Sequence, residues 1–258
     1  MMLDIENCRT HIRNAIDNAD LQLYPYPHMF IENVWPDEVY KYFHTFNPLE
    51  TNSELSKPWL KKHSKNNPHY QIRKQINCYQ LEDKFWRSVQ NILFENNWYA
   101  KLIKQKYETY FATQFGPLCK NDAWLDWIVQ EWFVQHHDIG YFIGPHTDRH
   151  DRVFTNIFTL PENNTHEHLG TCIYTASEGD LSPGGKHFSF KGFKKVKQIP
   201  YKKNCLFVFF KSRWAFHAVE EITSIDSTKR YGMQIQVYEK PFREITPDTQ
   251  GYETLLDT

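Results

Sequence analysis

The chain lacks the usual marks of export and membrane insertion. Its opening residues, Met1-Met2-Leu3-Asp4-Ile5-Glu6-Asn7, have neither the basic start nor the apolar stretch of a signal peptide. No apolar run is long enough to cross a bilayer. Cysteine is scarce: Cys8, Cys78, Cys119, Cys172 and Cys205 are scattered, odd in number and never arranged as CxxC. That distribution argues against a disulfide framework or a thiolate zinc knot and predicts a reducing, cytoplasmic setting. Neither sign of charge dominates, since 30 Lys and Arg face 31 Asp and Glu for a net charge of −1. General attraction to nucleic acid or to an acidic membrane is therefore not expected. Repeats, low-complexity tracts and Gly/Ser linkers are also missing.

What remains is the composition of a folded globular chain, 40% hydrophobic and 24% charged over 258 residues, with length for a sizeable core. Aromatic residues are abundant at 16%, and 13 histidines offer metal and proton chemistry. The apolar period changes along the chain. Pro36-Asp37-Glu38 predicts a helix start, and Val39, Tyr42, Phe43 and Phe46 follow at helical spacing. Asp83 is placed to cap a second helix bearing Phe85, Val89, Ile92 and Leu93 on one face. Asn96-Asn97 interrupts it before a third helix with Leu102, Ile103, Tyr107 and Tyr110. From about residue 122 the pattern is strand-like: 124–134, 153–160, 171–175, the apolar run 205–210 and the alternating 230–238. The expected class is α+β. Residues 1–121 form a mainly helical portion, 122–242 an antiparallel barrel or jelly-roll core, and 243–258 a C-terminal tail. Trp124, Trp127 and Trp132 are expected in the core.

The chemistry concentrates in Gly140-Tyr141-Phe142-Ile143-Gly144-Pro145-His146-Thr147-Asp148-Arg149. Residues two apart on an extended backbone point the same way, so His146 and Asp148 present an imidazole and a carboxylate to one point. His217, in Trp214-Ala215-Phe216-His217-Ala218-Val219, is the best third ligand. Two His and one carboxylate leave three positions of an octahedral metal open, the arrangement used by non-haem Fe(II) oxygenases. Arg230, thirteen residues later on the last alternating strand, can hold the distal carboxylate of a dicarboxylate cosubstrate with its planar fork. Parity places Gly232, Gln234 and Gln236 on the face of Arg230, and Met233, Ile235 and Val237 on the other.

Over residues 124–240 this order of HxD, distal His and Arg on the final strand resembles the 2-oxoglutarate/Fe(II)-dependent dioxygenases, particularly the prolyl-4-hydroxylase-like branch. Gly140, Leu169-Gly170-Thr171 and His217-Ala218-Val219 add to the likeness. Ile143 and Gly232 depart from it: the family often has a cosubstrate-contacting tyrosine at the first position and a small hydroxyl residue at the second. The resemblance implies a double-stranded β-helix (jelly roll) with N-terminal helices packed on it. It implies Fe(II) on His146, Asp148 and His217, 2-oxoglutarate on Arg230, O₂ as oxidant, ascorbate as a stimulant, and hydroxylation of an unactivated C–H bond. Asp148 argues against halogenation, because related halogenases have a small residue at that position. The competing reading is a non-catalytic, cupin-like binding module on the same frame.

Several other features have plainer readings. His136-His137 precede the motif, and His137 is the one that can face a pocket. His150, Asp151 and His166-Glu167-His168 read as solvated loop residues. Two basic segments interleaved with aromatics, Lys57–Lys74 and Lys186–Lys203, point to an anionic substrate if they flank the barrel mouth and to solvated faces if they do not. The expected partner is a small-molecule or peptide substrate.

Overall fold

A computed structural model describes residues 2–61, 69–149, 151–177, 184–223 and 229–240, with the side chains of 57–72 outside that description. The expected C-terminal tail, His150 and most of the first basic segment's side chains therefore lie outside the described residues.

In chain order the elements are α1 (Ile5–Asp17), β1 (His28–Glu32), α2 (Asp37–Thr45), α3 (Pro48–Thr51), β2 (Lys57–Lys61) and β3 (His69–Asn77). Helices α4 (Lys84–Phe94), α5 (Trp98–Lys106) and α6 (Glu108–Phe115) follow. Eight strands come next: β4 (Ile128–His137), β5 (Phe142–His146), β6 (Arg152–Thr159), β7 (Cys172–Ala176), β8 (Phe193–Gln198), β9 (Cys205–Phe210), β10 (His217–Val219) and β11 (Arg230–Glu239).

Local chemistry sets the helix ends. The Asp83 carboxylate accepts from the Trp86 N–H at 3.0 Å and caps α4. Asn96 and Asn97 both adopt φ of 54°, the left-handed region that Asn tolerates, and so break α4 from α5. The expected third helix is split again at Tyr107, where α6 begins.

The strands pair antiparallel. One sheet has the order β1-β9-β6-β11-β4-β3, with β2 beyond β3, and the second has the order β5-β10-β7-β8. Strand β3 pairs with β4 in the first sheet and, through His69 and Tyr70, with β5 in the second, so it links the two. Helices α1, α2, α4, α5 and α6 cover the outer face of the first sheet. Phe43, Trp86 and Phe111 are buried there with Trp132, Phe158, Val208, Met233 and Ile235. Between the sheets a smaller cluster, including Tyr26, Ile157, Ile173, Phe207 and Phe209, closes one end. The expected alternation on β11 holds: Met233, Ile235 and Val237 join the helix-facing core, while Gln234 and Gln236 line the cavity between the sheets.

Some expectations need correction. The first half is not only helical, since β1 extends the first sheet beyond β9 and β3 extends it beyond β4. Arg73 and Gln75 of β3 face the cavity, so the strand's polar face looks like solvated sequence. The strand expected from residue 124 begins at Ile128, because Asp122–Trp127 is a 3-10 turn with Asn121 accepting from the Ala123 N–H. Trp124 and Trp132 are fully buried, but Trp127 is 46% exposed. Asp151 is buried, not solvated, and takes a two-pronged ion pair from Arg149 at 2.8 and 3.1 Å.

Candidate metal centre

His217 is the Cα partner of His146 across the β5–β10 ladder. The register slips between His217 and Val219, which opposes Ile143, so β5 carries a bulge at Gly144-Pro145. The bulge puts His146 on the same inner side as Tyr141 and Ile143, against the parity of an unbroken strand. Asp148 follows just past the end of β5. One ligand atom from each of His146, Asp148 and His217 falls within 4.8 Å of the others, and all three residues are buried. The sequence-predicted trio is thus brought to one point.

Each imidazole is oriented by its own backbone. His146 Nδ1 lies 3.0 Å from the Gly144 carbonyl and His217 Nδ1 lies 3.1 Å from the Ala215 carbonyl. A carbonyl can only accept, so both Nδ1 atoms carry the proton and both Nε2 lone pairs are left to bind a metal. Burial lowers the pKa of His146 to about 3, with the neighbouring His217 adding to the effect. Burial also lowers His217, against the pull of Asp148. Both rings are therefore neutral at ordinary pH. Burial alone would raise the Asp148 carboxyl, but the charge of Arg152, with help from the histidines and Thr155, takes it below its ordinary value. Two neutral imidazoles and one carboxylate are the protonation states a divalent metal needs.

The carboxylate is held from both sides. Thr155 Oγ1 donates to Asp148 Oδ2 at 2.7 Å, and Arg152 donates to Oδ1, the oxygen that faces His217 Nε2 at 3.9 Å. The sequence reading missed both partners. Thr155 follows from the parity of β6. Arg152 does not: a register shift beside Tyr238 turns its side chain inward, where strict alternation would send it outward. In sequence it directly follows His150-Asp151, which read as solvated loop residues. His187 was also missed; its ring stacks on His146 at 4.3 Å.

Arg230 lines the same cavity and is buried. Its Nε donates to the Leu169 carbonyl at 2.7 Å and its Nη1 to His137 Nδ1 at 3.1 Å. His137 also faces Arg73, its Cα partner on β3, so two guanidinium groups flank it. Burial, then the charges of Arg230 and Arg73, keep His137 neutral and able to accept. Tyr141 packs on the His137 ring at 3.8 Å and lines the cavity. A tyrosine thus stands near Arg230 two residues before Ile143. Gly232 is closely packed: a Cβ there would come within 3.0 Å of the Phe158 carbonyl oxygen, so a side chain would need the neighbouring strand to give by a few tenths of an ångström.

The basic segment Lys186–Lys203 supplies no cavity-lining lysine among the described residues. Lys195 pairs with Glu220 at 2.7 Å and Lys202 with Glu32 at 3.1 Å. Lys194, Lys195 and Lys197 lie on β8, at the edge of the second sheet, where lysine discourages strand addition.

No protein-family model and no curated protein sequence matches the chain. Solved structures do. A prolyl hydroxylase from Trichoplax adhaerens, in complex with a hypoxia-inducible-factor peptide fragment, superposes with a TM-score of 0.52 at 13% identity, covering 95% of this chain and 94% of that one. The chain has the fold of the 2-oxoglutarate-dependent oxygenases. The non-haem α-ketoglutarate-dependent epimerase SnoN of nogalamycin biosynthesis, in complex with Fe³⁺, α-ketoglutarate and nogalamycin RO, aligns with a TM-score of 0.50 at 14% identity over 96% of this chain and 91% of that one. The carbocyclase SnoK aligns at 0.50 and 10% identity over 93% and 87%. Among the described residues no helix is long and apolar enough to cross a membrane.

Proposed function

We propose that this protein is a non-haem Fe(II), 2-oxoglutarate-dependent dioxygenase that hydroxylates an unactivated C–H bond. One observation carries the reading: His146, Asp148 and His217 converge in the cavity that also holds the buried Arg230. The strand orders β4-β11-β6-β9 and β5-β10-β7-β8 support reading these eight strands as a double-stranded β-helix, with residues 1–121 added around it.

In this reading His146 and His217 bind the metal through Nε2 and Asp148 through a carboxylate oxygen. The metal with 2-oxoglutarate supplies oxygen activation coupled to oxidative decarboxylation, releasing succinate and CO₂. Arg230 fixes the distal carboxylate of the cosubstrate, already aimed by Leu169 and His137. The buried walls exclude water, and the cavity orients the substrate C–H. Solved structures sharing this fold include an epimerase and a carbocyclase, so the fold does not select hydroxylation; the Asp148 carboxylate weighs only against halogenation, and the product decides the rest.

The test is succinate formation from 2-oxoglutarate by the full chain with Fe(II), O₂ and ascorbate, using pooled metabolites and peptides as substrates. Mass spectrometry would follow for a gain of one oxygen. Iron-dependent succinate with a hydroxylated product is expected. Arg230→Ala should raise the KM for 2-oxoglutarate steeply while leaving metal binding intact, with Arg230→Lys between it and wild type. Absence of iron-dependent turnover, with the ligand set occupied by metal, would favour a cupin-like binding module instead.

A further inference from the structure

Farther along β11 from Arg230, the cavity has a second polar group, joined to the candidate metal ligands through Arg152. Arg152 Nη2 donates to Gln236 Oε1 and to the Tyr238 hydroxyl, both at 3.0 Å. The Tyr238 hydroxyl lies 2.5 Å from Gln236 Oε1 and 3.2 Å from Glu131 Oε2. Gln236 Nε2 donates to Gln234 Oε1 at 3.3 Å. Glu131 is the Cα partner of Gln236 on β4, and Phe133 that of Gln234. All six residues line the cavity.

Position separates this group from the cosubstrate. Arg230 and Gln236 are six residues apart on β11, about 20 Å at the rise of an extended strand. A five-carbon dicarboxylate anchored on Arg230 and reaching the metal is far too short to touch Gln236. Arg152 bonds to both Asp148 and Gln236, so the group adjoins the metal ligands, where a reacting C–H must sit.

The chemistry of the group then selects a ligand. Amide and carboxylate oxygens alternate with guanidinium, amide and hydroxyl donors over three neighbouring strands, with Phe133 as an apolar platform. These side chains already bond to one another, but a hydrocarbon or a bare prolyl ring laid over them would take water from the hydrogen-bonding capacity they keep toward the cavity and return none. A carboxylate or phosphate would face Glu131 and Asp148, while the Arg152 charge is already engaged by Asp148. Hydroxyls both donate and accept, and a ring of them has one C–H face to lay against an aromatic ring.

We infer that the oxidised substrate is a polyhydroxylated small molecule, held by Glu131, Gln234, Gln236 and Tyr238 and packed on Phe133. This rests on the oxygenase reading for the reaction but not for the binding. Saturation-transfer NMR on the full chain with Zn(II) and 2-oxoglutarate would compare methyl hexosides, myo-inositol and an amino sugar with a proline-containing tetrapeptide and hexanoate. At least one polyhydroxylated probe should bind, and Gln236→Leu should weaken it tenfold or more while metal affinity is retained. Tyr238→Phe, a gentler change, should weaken it several-fold. A site built around hydroxyls loses such discrimination steeply when a partner is removed. The inference is overturned if only the peptide or hexanoate binds, if no probe binds, or if both variants bind the polyhydroxylated probe like wild type. Failure of the oxygenase reading would show separately, as polyhydroxylated binding without iron-dependent succinate formation.

Discussion

His146 and His217 sit directly opposite one another on antiparallel strands, with their ring centroids 4.2 Å apart. A two-strand ladder thus fixes two of the three proposed ligands before any metal arrives. His146→Gln or His217→Gln should abolish stoichiometric binding of Zn(II) or Fe(II), and Asp148→Asn should weaken it at least tenfold. Equilibrium dialysis followed by metal analysis checks this, with circular dichroism confirming the fold. Full metal occupancy in either histidine variant would place the ligands elsewhere.

The Thr155 hydroxyl orients Asp148 from outside the metal group. Thr155→Val keeps the shape and removes the 2.7 Å hydrogen bond. Loss of such a supporting partner typically costs about 10–100-fold in metal affinity. Competition against a coloured chelator reads this directly, and an unchanged affinity would mean that Arg152 alone positions the carboxylate.

Gly170 is demanded by packing. A Cβ at that position would lie 1.6 Å from the Ile199 carbonyl oxygen, and backbone cannot swing aside as a side-chain tip can. Gly170→Ala should force β7 away from the segment after β8 and destabilise the protein by several kcal/mol, in the range of ~3 or more seen for severe single changes. Chemical denaturation measures the loss; a wild-type midpoint would mean the two segments part freely.

Buried neutral histidines make the fold acid-sensitive. Burial, followed by the charge of Lys229, lowers the His136 pKa from 6.5 to about 4, and burial lowers His28 and His44 as well. Below pH 6.5 the unfolded chain takes up protons that the native state refuses. Stability is therefore full above that pH and is lost as pH falls toward 4. His136 alone should account for on the order of 1–2 kcal/mol by pH 5. His136→Gln should flatten the fall in unfolding free energy between pH 7 and 5, whereas parallel pH profiles for variant and wild type would remove His136 as a cause.

The amino-acid sequence by itself determined the elements whose period is strong. Helix α4 is legible from Asp83 and the spacing of Phe85, Val89 and Ile92, and β11 from the alternation of Gln234 and Gln236 with Met233 and Ile235. That His146, Asp148, His217 and Arg230 share one buried cavity was also foreseeable, the first two from their spacing on one segment and the others from the ligand and anchor that the proposed chemistry would need. Tertiary structure decided the rest. The inward turn of Arg152 comes from a register shift against Tyr238, and the inward turn of His146 from a bulge opposite β10. A strand's own sequence does not specify either slip, because register is set by the partner strand. The placement of Arg73 beside His137 depends on β3 joining β4, a pairing between segments some sixty residues apart. Spacing can pick out ligands, but only the assembled sheets decide which other polar side chains share their cavity.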